Sequence, residues 1–326
     1  MYKKLVILTA LLALCVVVLG AYVRLSDAGL GCPDWPGCYG SISPHHAADD
    51  ISRAEAAQPG GPVTTHKAWK EMVHRYFAGT LGMLIAIIGI WAWARRKATG
   101  ESPVLPTLLM GLVVFQALLG MWTVTERLMP VVVSSHLLGG MATLGLLVWL
   151  AGKQINFMST AIDRMTYRSM RGWALTGLML VAAQIALGGW VSTNYAALAC
   201  AGFPQCNGAW WPAMDFSQPF HLIRSLGMTA AGELLPRDGL IAIHWVHRLG
   251  AYVVFLYIGW MASKMLRLQH IRNIAMAVLV ILSLQIGLGI SNVLFGLPLA
   301  VAVAHNGVAA LLLSAMVLLN LRLNTN

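Results

Sequence analysis

The chain alternates between long hydrophobic runs and shorter polar segments. Runs of about 20 apolar residues have the length that crosses the hydrocarbon core of a bilayer as an α-helix. The first run, from Leu5 to Val23, exceeds the core of about 7–15 residues that is typical of a signal peptide, so we interpret it as a helix too. Eight spans are predicted, at residues 5–24, 72–94, 103–124, 131–151, 173–193, 240–261, 273–294 and 298–320. The pattern predicts an all-α integral membrane protein with no soluble domain.

Composition and charge agree with this pattern. Only 10% of the 326 residues are charged and 58% are hydrophobic, whereas soluble domains carry about 25% charged residues. The net charge of +10 does not indicate a nucleic-acid partner, because the basic residues collect on one side of the predicted spans. Thirteen of the 22 basic residues lie there: Lys3, Lys4, Arg95, Arg96, Lys97, Lys153, Arg164, Arg168, Arg171, Lys264, Arg267, Arg272 and Arg322.

Of the 12 acidic residues, only Glu101 and Asp163 fall on that basic side. Positive charge concentrates on the cytoplasmic side of membrane proteins. We therefore expect both termini in the cytoplasm and the long loops 25–71 and 194–239 outside.

Four cysteines fall in the two outside loops, as the pairs Cys32/Cys38 and Cys200/Cys206. Disulfides persist in oxidising exported compartments, and five residues separate the cysteines of each pair. We predict one disulfide within each loop. Its role stays open between a structural link and a redox-active pair, because thiol reactivity depends on pKa and exposure rather than spacing.

The two cysteine loops belong to an internal repeat. The stretch "LGAYVRLSDAGLGCPDWPGCYG" aligns without a gap on "LGGWVSTNYAALACAGFPQCNG", with an offset of 168 residues from Cys32 to Cys200. The stretches "QALLGMWTV" and "QIGLGISNV" match at offset 169. This predicts two four-helix bundles in the same orientation, formed by residues 1–152 and 173–326 and joined by a cytoplasmic linker at 153–172.

Four histidines lie within the predicted spans: His74, His136, His247 and His305. Ionisable residues inside a membrane are costly and point to function. His74 and His247 begin the second helix of each half, and His136 and His305 lie in the fourth, at similar depths of roughly 10 Å below the outer surface. Such pairs are suited to axial ligation of a haem within a four-helix bundle, although a single membrane histidine often only bonds another helix.

Neighbouring residues distinguish the two halves. The first half reads "EMVHR" and the second reads "HWVHR", so Glu71 stands where the other half has His244. This suggests that one site performs chemistry and the other moves electrons, although Glu71 is also explained as a helix-start charge. Arg75 and Arg248 are possible partners of haem propionates, or else snorkel to the headgroups. Three glutamines are interpreted as packing residues: Gln116, Gln184 and Gln285.

The sequence resembles the haem A synthase family, in its cysteine-bearing branch, over essentially the whole chain. The resemblance rests on "GAYVRLSDAGLGCPDWPGCYG", "EMVHR", "SSHLLGG", "HWVHRLGAY" and "AHNG". It implies oxidation of the haem O methyl group to the formyl group of haem A, for terminal oxidases, in a bacterial inner membrane. It further implies a haem b cofactor held by His247 and His305, substrate haem O held by His74 and His136, and a catalytic Glu71.

The same resemblance implies a haem O-producing farnesyltransferase as a partner, together with an unknown electron acceptor. Methyl oxidation needs a cofactor, since side chains do not supply such chemistry, and it releases protons that a carboxylate can accept. The alternative function is a di-haem b electron carrier from quinol to an outside acceptor, without haem modification. A thiol-oxidising membrane protein ranks last, because it leaves the four histidines unexplained.

Overall fold

The computed structural model describes residues 1–155 and 164–324. The predicted linker 153–172 lies partly outside these residues, and so does Asp163. Its last part is helical rather than loop, because the helix that follows already begins at Arg164.

The described chain is all-helical, with eight helices long and apolar enough to cross a membrane. This confirms the predicted multi-pass all-α fold. In chain order the helices are α1 (Tyr2–Leu25), α2 (Ala48–Ala57), α3 (Thr65–Thr99), α4 (Val104–Thr125), α5 (Pro130–Gln154), α6 (Arg164–Thr193), α7 (Arg237–Met265), α8 (Arg272–Leu294) and α9 (Leu299–Leu323). Helix α2 is short, lies in the first long loop and was not predicted.

Most helix ends lie within a few residues of the predicted spans, but α3 begins seven residues before the predicted start at 72. Its first turn is polar, so a hydrophobicity pattern does not detect it. The side chain of Thr64 accepts a hydrogen bond from the backbone N–H of Lys67, at 3.2 Å, and caps the helix there. Gly100 ends the helix with φ of +70°, a conformation that glycine adopts without steric cost.

The helices pack in two cycles. In the first, α1 contacts α3, α3 contacts α4, α4 contacts α5, and α5 returns to α1. In the second, α6, α7, α8 and α9 make the corresponding contacts, with α9 returning to α6. The cycles meet where α9 contacts α1 and α5, and where α5 contacts α6.

Each cycle carries a cysteine loop at the end where its second and fourth helices begin. The predicted disulfides Cys32–Cys38 and Cys200–Cys206 are both formed, each with a Cα–Cα distance of 4.9 Å. In both loops the backbone of the second cysteine forms an isolated antiparallel β-bridge with the residue three positions later, which is Ser41 in the first loop and Ala209 in the second.

The backbone of the two loops also corresponds residue by residue. Non-glycine residues with positive φ occur at Asp27 and Tyr195, and again at Tyr39 and Asn207. Both pairs are separated by the 168 residues that separate the aligned cysteines. Left-handed backbone is uncommon in non-glycine residues, so its recurrence at one offset marks equivalent turns.

Candidate functional site

One large cavity runs between the helices of both cycles, with a volume of about 1670 Å³. Pockets for drug-sized ligands typically measure about 300–1,000 Å³, so this space exceeds the needs of one such ligand. All four membrane histidines line it, as do Glu71 and residues of both cysteine loops. The lining is predominantly apolar, with its charged groups near the loop end.

The histidines lie in pairs along this cavity. His74 and His136 are within electrostatic range of each other, and so are His247 and His305. Each lies 6 to 10 residues beyond the first residue of its helix, about 9–15 Å along the axis. The two members of a pair come from different helices, and all four side chains line one cavity.

A glycine on the neighbouring helix faces every one of these imidazole rings. A Cβ atom placed on Gly20 would lie 3.0 Å from the ring of His74, and one placed on Gly188 would lie 3.1 Å from that of His247. The corresponding distances are 3.4 Å from Gly120 to His136 and 3.1 Å from Gly289 to His305. Each ring therefore occupies the space that a larger side chain would fill, which fixes the ring against its neighbouring helix.

The polar partners of the rings are few. Gln184 Nε2 lies 3.0 Å from Nδ1 of His247, and Gln285 Nε2 lies 3.3 Å from Nε2 of His305. Nδ1 of His74, His136 and His305 is buried without a hydrogen-bond partner among the described residues. Through Nδ1 these three rings thus take no part in a hydrogen-bond network among the described residues, and imidazole is the commonest side-chain ligand of a bound metal group.

This arrangement fits a haem in each half. Two imidazoles from different helices converge on one apolar cavity, each seated against a glycine, and imidazole is a common axial ligand of haem iron. A bare metal ion does not fit equally well, because the described residues contain no group of three or more histidine, cysteine or acidic side chains arranged to hold one.

Glu71 is only 5% exposed and links α3 to the first cysteine loop. Its Oε2 atom accepts a hydrogen bond of 2.9 Å from the backbone N–H of Cys32, and its Oε1 atom lies 2.6 Å from Nη2 of Arg75. Glu71 is the seventh residue of α3, beyond the first turn in which the helix dipole acts on charges. The alternative interpretation as a helix-start charge is therefore wrong.

Arg75 completes this connection. Its Nη1 atom donates to the carbonyl oxygens of Asp34, at 2.8 Å, and Pro36, at 3.2 Å. The guanidinium therefore bridges the carboxylate and the cysteine loop, and these contacts occupy most of its donors.

The second half uses its arginine in the same way but has His244 in place of the carboxylate. Arg248 donates to the carbonyl oxygens of Cys200, at 2.7 Å, and Gln205, at 3.1 Å. Its Nε atom lies 3.2 Å from Nε2 of His244, which occupies the place of Glu71. Both arginines thus hold cysteine loops over the cavity, a role that sequence analysis did not predict.

A polar cluster joins the two halves at the loop end of the cavity. Arg24 donates to the carbonyl oxygen of Ser192 at 2.6 Å, and Tyr195 donates to Asp27 at 2.8 Å. The guanidinium of Arg24 also lies 4.1 Å from the centre of the Tyr195 ring. Both hydrogen bonds connect residues that are 168 positions apart.

Sequence reasoning missed further residues of the site. Gln184 and Gln285 were interpreted as packing residues, yet each contacts a histidine. The four glycines were overlooked, although they recur between the halves. Gly20 and Gly188 are equivalent in the stretches aligned at offset 168, and Gly120 and Gly289 are equivalent in those aligned at offset 169. Recurrence at the repeat offset is the signal that would have found them.

Comparison with known proteins identifies the family of this chain. Residues 3–317 match the COX15-CtaA family model, described as cytochrome oxidase assembly protein. The chain belongs to this family.

Several relatives carry the name heme A synthase. The protein from Shewanella oneidensis is 40% identical over 314 residues, covering 96% of this chain and 94% of its own. That from Caulobacter sp. (strain K31) is 29% identical, covering 94% and 91%. That from Halalkalibacterium halodurans is 26% identical, covering 98% and 96%.

Proposed function

We propose that this protein is a haem A synthase, which oxidises the methyl group of haem O to the formyl group of haem A. The observation that supports this most directly is the pair of histidine sites in one apolar cavity, of which only the first has a buried carboxylate among the residues that the structure describes. Membership of the cytochrome oxidase assembly family and full-length similarity to heme A synthases support the same activity.

The two helix cycles represent a duplicated four-helix bundle. Three observations support this: the matching packing cycles, the turns that recur at an offset of 168, and the symmetry of the contacts between the cycles. Exchanging the halves converts the contact of α1 with α9 into that of α6 with α5, and it leaves α5 with α9 unchanged. This is the behaviour of a two-fold axis along the membrane normal.

Both termini lie in the cytoplasm and both cysteine loops lie on the periplasmic side of the bacterial inner membrane. The basic residues at the helix ends remote from the loops support this orientation. The disulfides support it too, because an oxidising compartment maintains them.

The first half, residues 1–152, binds the substrate haem O through His74 and His136. The second half, residues 173–326, holds haem b through His247 and His305. The assignment rests on the carboxylate, because the reacting group must lose protons and, within residues 1–155 and 164–324, only the first half offers an acidic side chain beside its histidines.

Haem b, when bound, provides a redox centre that passes electrons on from the reaction. The residues of the second half keep it in place. His247 is oriented by Gln184 and Gly188, and the loop held by Arg248 covers the end of the cavity. Arg75 and Arg248 would be the cationic partners for haem propionates at this loop end, where both already donate hydrogen bonds to loop carbonyls.

Glu71 acts as the general base. Oxidation of a methyl to a formyl group adds one oxygen atom and releases protons and electrons. Glu71 lies one helical turn from His74 towards the loop, so its carboxylate is at the rim of a macrocycle bound between His74 and His136. The Cys32 N–H and Arg75 fix both of its oxygen atoms, which positions the base before the substrate binds.

The reaction connects this protein to others in the same membrane. A farnesyltransferase that makes haem O supplies the substrate, terminal oxidases receive the haem A, and a separate acceptor takes the electrons.

Co-expression with a haem O source tests the function. Haems extracted from the purified protein and its membranes are separated by chromatography and identified by mass. Haem A, absent without the protein, is the expected product. Two unmodified b haems and no haem A would instead identify a di-haem electron carrier.

A further inference from the structure

The cavity differs between the halves where it meets the lipid-facing surface. Helices α3 and α4 border it in the first half, and α7 and α8 do so in the second. On α3, the residues five and eight positions after His74 are Gly79 and Gly82. On α7, the residues at the same distances after His247 are Tyr252 and Phe255.

The other wall shows the same difference. Ala117 follows Gln116 on α4, whereas Ile286 follows Gln285 on α8. These residues all line the cavity, as do their counterparts on α3 and α7. Three small side chains in the first half thus correspond to two aromatic rings and a branched aliphatic chain in the second.

The space left by the small residues reaches the surface. A Cβ atom on Gly79 would meet nothing within 4 Å, and one on Gly82 would meet only Val113, at an ordinary 3.7 Å. Met83 and Val114 line the cavity and are also 61% and 62% exposed. In a membrane-spanning helix such exposed apolar residues face lipid. We call this opening between α3 and α4, bordered by Gly79, Gly82 and Ala117, the lateral slot.

We propose that the lateral slot is the passage through which haem O enters the first-half site from the bilayer, and that it accommodates the isoprenoid tail of the bound substrate. This rests on the proposed function. Gly79 and Gly82 lie about 7–12 Å farther from the loop end than His74, which directs an apolar tail towards the bilayer centre. Gln116, which lines the cavity behind the slot, is only 9% exposed, and its Nε2 atom has no hydrogen-bond partner among the described residues.

The difference between the halves follows from what each must do. A substrate has to arrive and its product has to leave in every turnover, whereas a resident cofactor has to stay. Tyr252 and Phe255, which are 38% and 44% exposed, place two aromatic rings at the corresponding position of the second half, where they narrow the passage and slow the escape of haem b.

The test transfers the second half's side chains into the slot of the full-length protein, as the double variant Gly79→Tyr with Gly82→Phe. Haem O in phosphatidylethanolamine vesicles is offered to the reconstituted protein, and bound haem O is quantified over time by extraction. We expect uptake to slow about tenfold or more, equivalent to about 1.4 kcal/mol of added barrier, with haem b content unchanged.

Gly111→Phe is the matched control, because Gly111 is an exposed α4 residue that does not line the cavity and a Cβ there meets nothing within 4 Å. It should take up haem O at the wild-type rate. Wild-type uptake by the double variant would overturn the proposal, and so would equal slowing by Gly111→Phe.

The reciprocal variant opens the second half, as Tyr252→Gly with Phe255→Gly. Haem b should then transfer faster to an added haem-free globin, and an unchanged transfer rate would also overturn the proposal. Since uptake and release are measured without product formation, a wild-type protein that binds haem O but makes no haem A would refute the proposed function alone.

Discussion

Replacement of Glu71 by glutamine separates a catalytic carboxylate from a structural one. Glutamine keeps the size of the side chain but offers one acceptor oxygen, whereas Glu71 accepts from both the Cys32 N–H and Arg75. The variant therefore loses one hydrogen bond to a charged group, worth about 1.5–3 kcal/mol. Arg75 keeps its loop carbonyls, so we place the loss near 2 kcal/mol.

A loss of that size reduces the population of the docked loop by a factor of at most about 30. The loss of a general base typically slows a reaction by about 10²–10⁴-fold. We therefore expect Glu71→Gln to form haem A at least about a hundredfold more slowly than wild type, to accumulate haem O or a hydroxylated intermediate, and to keep its full haem b content.

The matched control is Cys32→Ser with Cys38→Ser, which loosens the same loop but keeps the carboxylate. Removing a disulfide that joins cysteines six positions apart costs about 2 kcal/mol in the chain-entropy model, close to the loss at Glu71. The assay is a chromatographic profile of extracted haems, normalised to haem b. Normal haem A from Glu71→Gln, or an equal defect in the disulfide variant, would refute the catalytic role.

Three further predictions concern the second half. His247→Ala or His305→Ala should abolish the absorption spectrum of a low-spin, bis-histidine haem b in the purified protein. Gly188→Val should lower haem b content, since a Cβ there already lies 3.1 Å from the His247 ring and a branched side chain displaces it. Cys200→Ser with Cys206→Ser should lower the free energy of unfolding of the haem b half by about 2 kcal/mol, measured as earlier loss of the haem spectrum on heating.

A different result would contradict each of these predictions. An intact haem b spectrum in both histidine variants would refute the assignment of His247 and His305 as haem ligands. Gly172→Val is the control for the glycine, because a Cβ at Gly172 meets nothing within 4 Å, and equal haem loss in both valine variants would refute the steric argument. Peptide mapping without reductant should recover the Cys200–Cys206 pair, and four free thiols or pairing between loops would contradict the disulfides.

The membrane helices were predictable because hydrophobic runs of bilayer length have few alternatives. Helix α2 was not, since it is polar and buries only Ile51. The start of α3 was missed because its signal is the cap at Thr64 rather than hydrophobicity. Such elements depend on a single tertiary contact or a single side-chain hydrogen bond, and a hydrophobicity pattern does not detect either of these.

The site was predictable to a similar extent. Its histidines and Glu71 stand out because ionisable residues are rare in spans and because the repeat exposes the difference at position 71. The function of Arg75 was not predictable, since its partners are loop carbonyls whose positions depend on the folded loop. The neighbours of the rings, such as Gly20 and Gln184, acquire meaning only when the opposing helix is known.

The contact between Tyr195 and Asp27 carries a consequence for the origin of the chain. On the proposed two-fold axis, a dimer of identical halves places each axial residue against its own copy. Two copies of the first half would bring one Asp27 against another, and two like charges repel. Fusion of the halves into one polypeptide lets the two positions diverge, so that a phenol can donate to the aspartate. The single chain therefore permits a tyrosine–aspartate pair at this axial position, which a symmetric dimer of identical halves cannot form, and separately expressed halves should assemble as a heterodimer in preference to pairs of the first half.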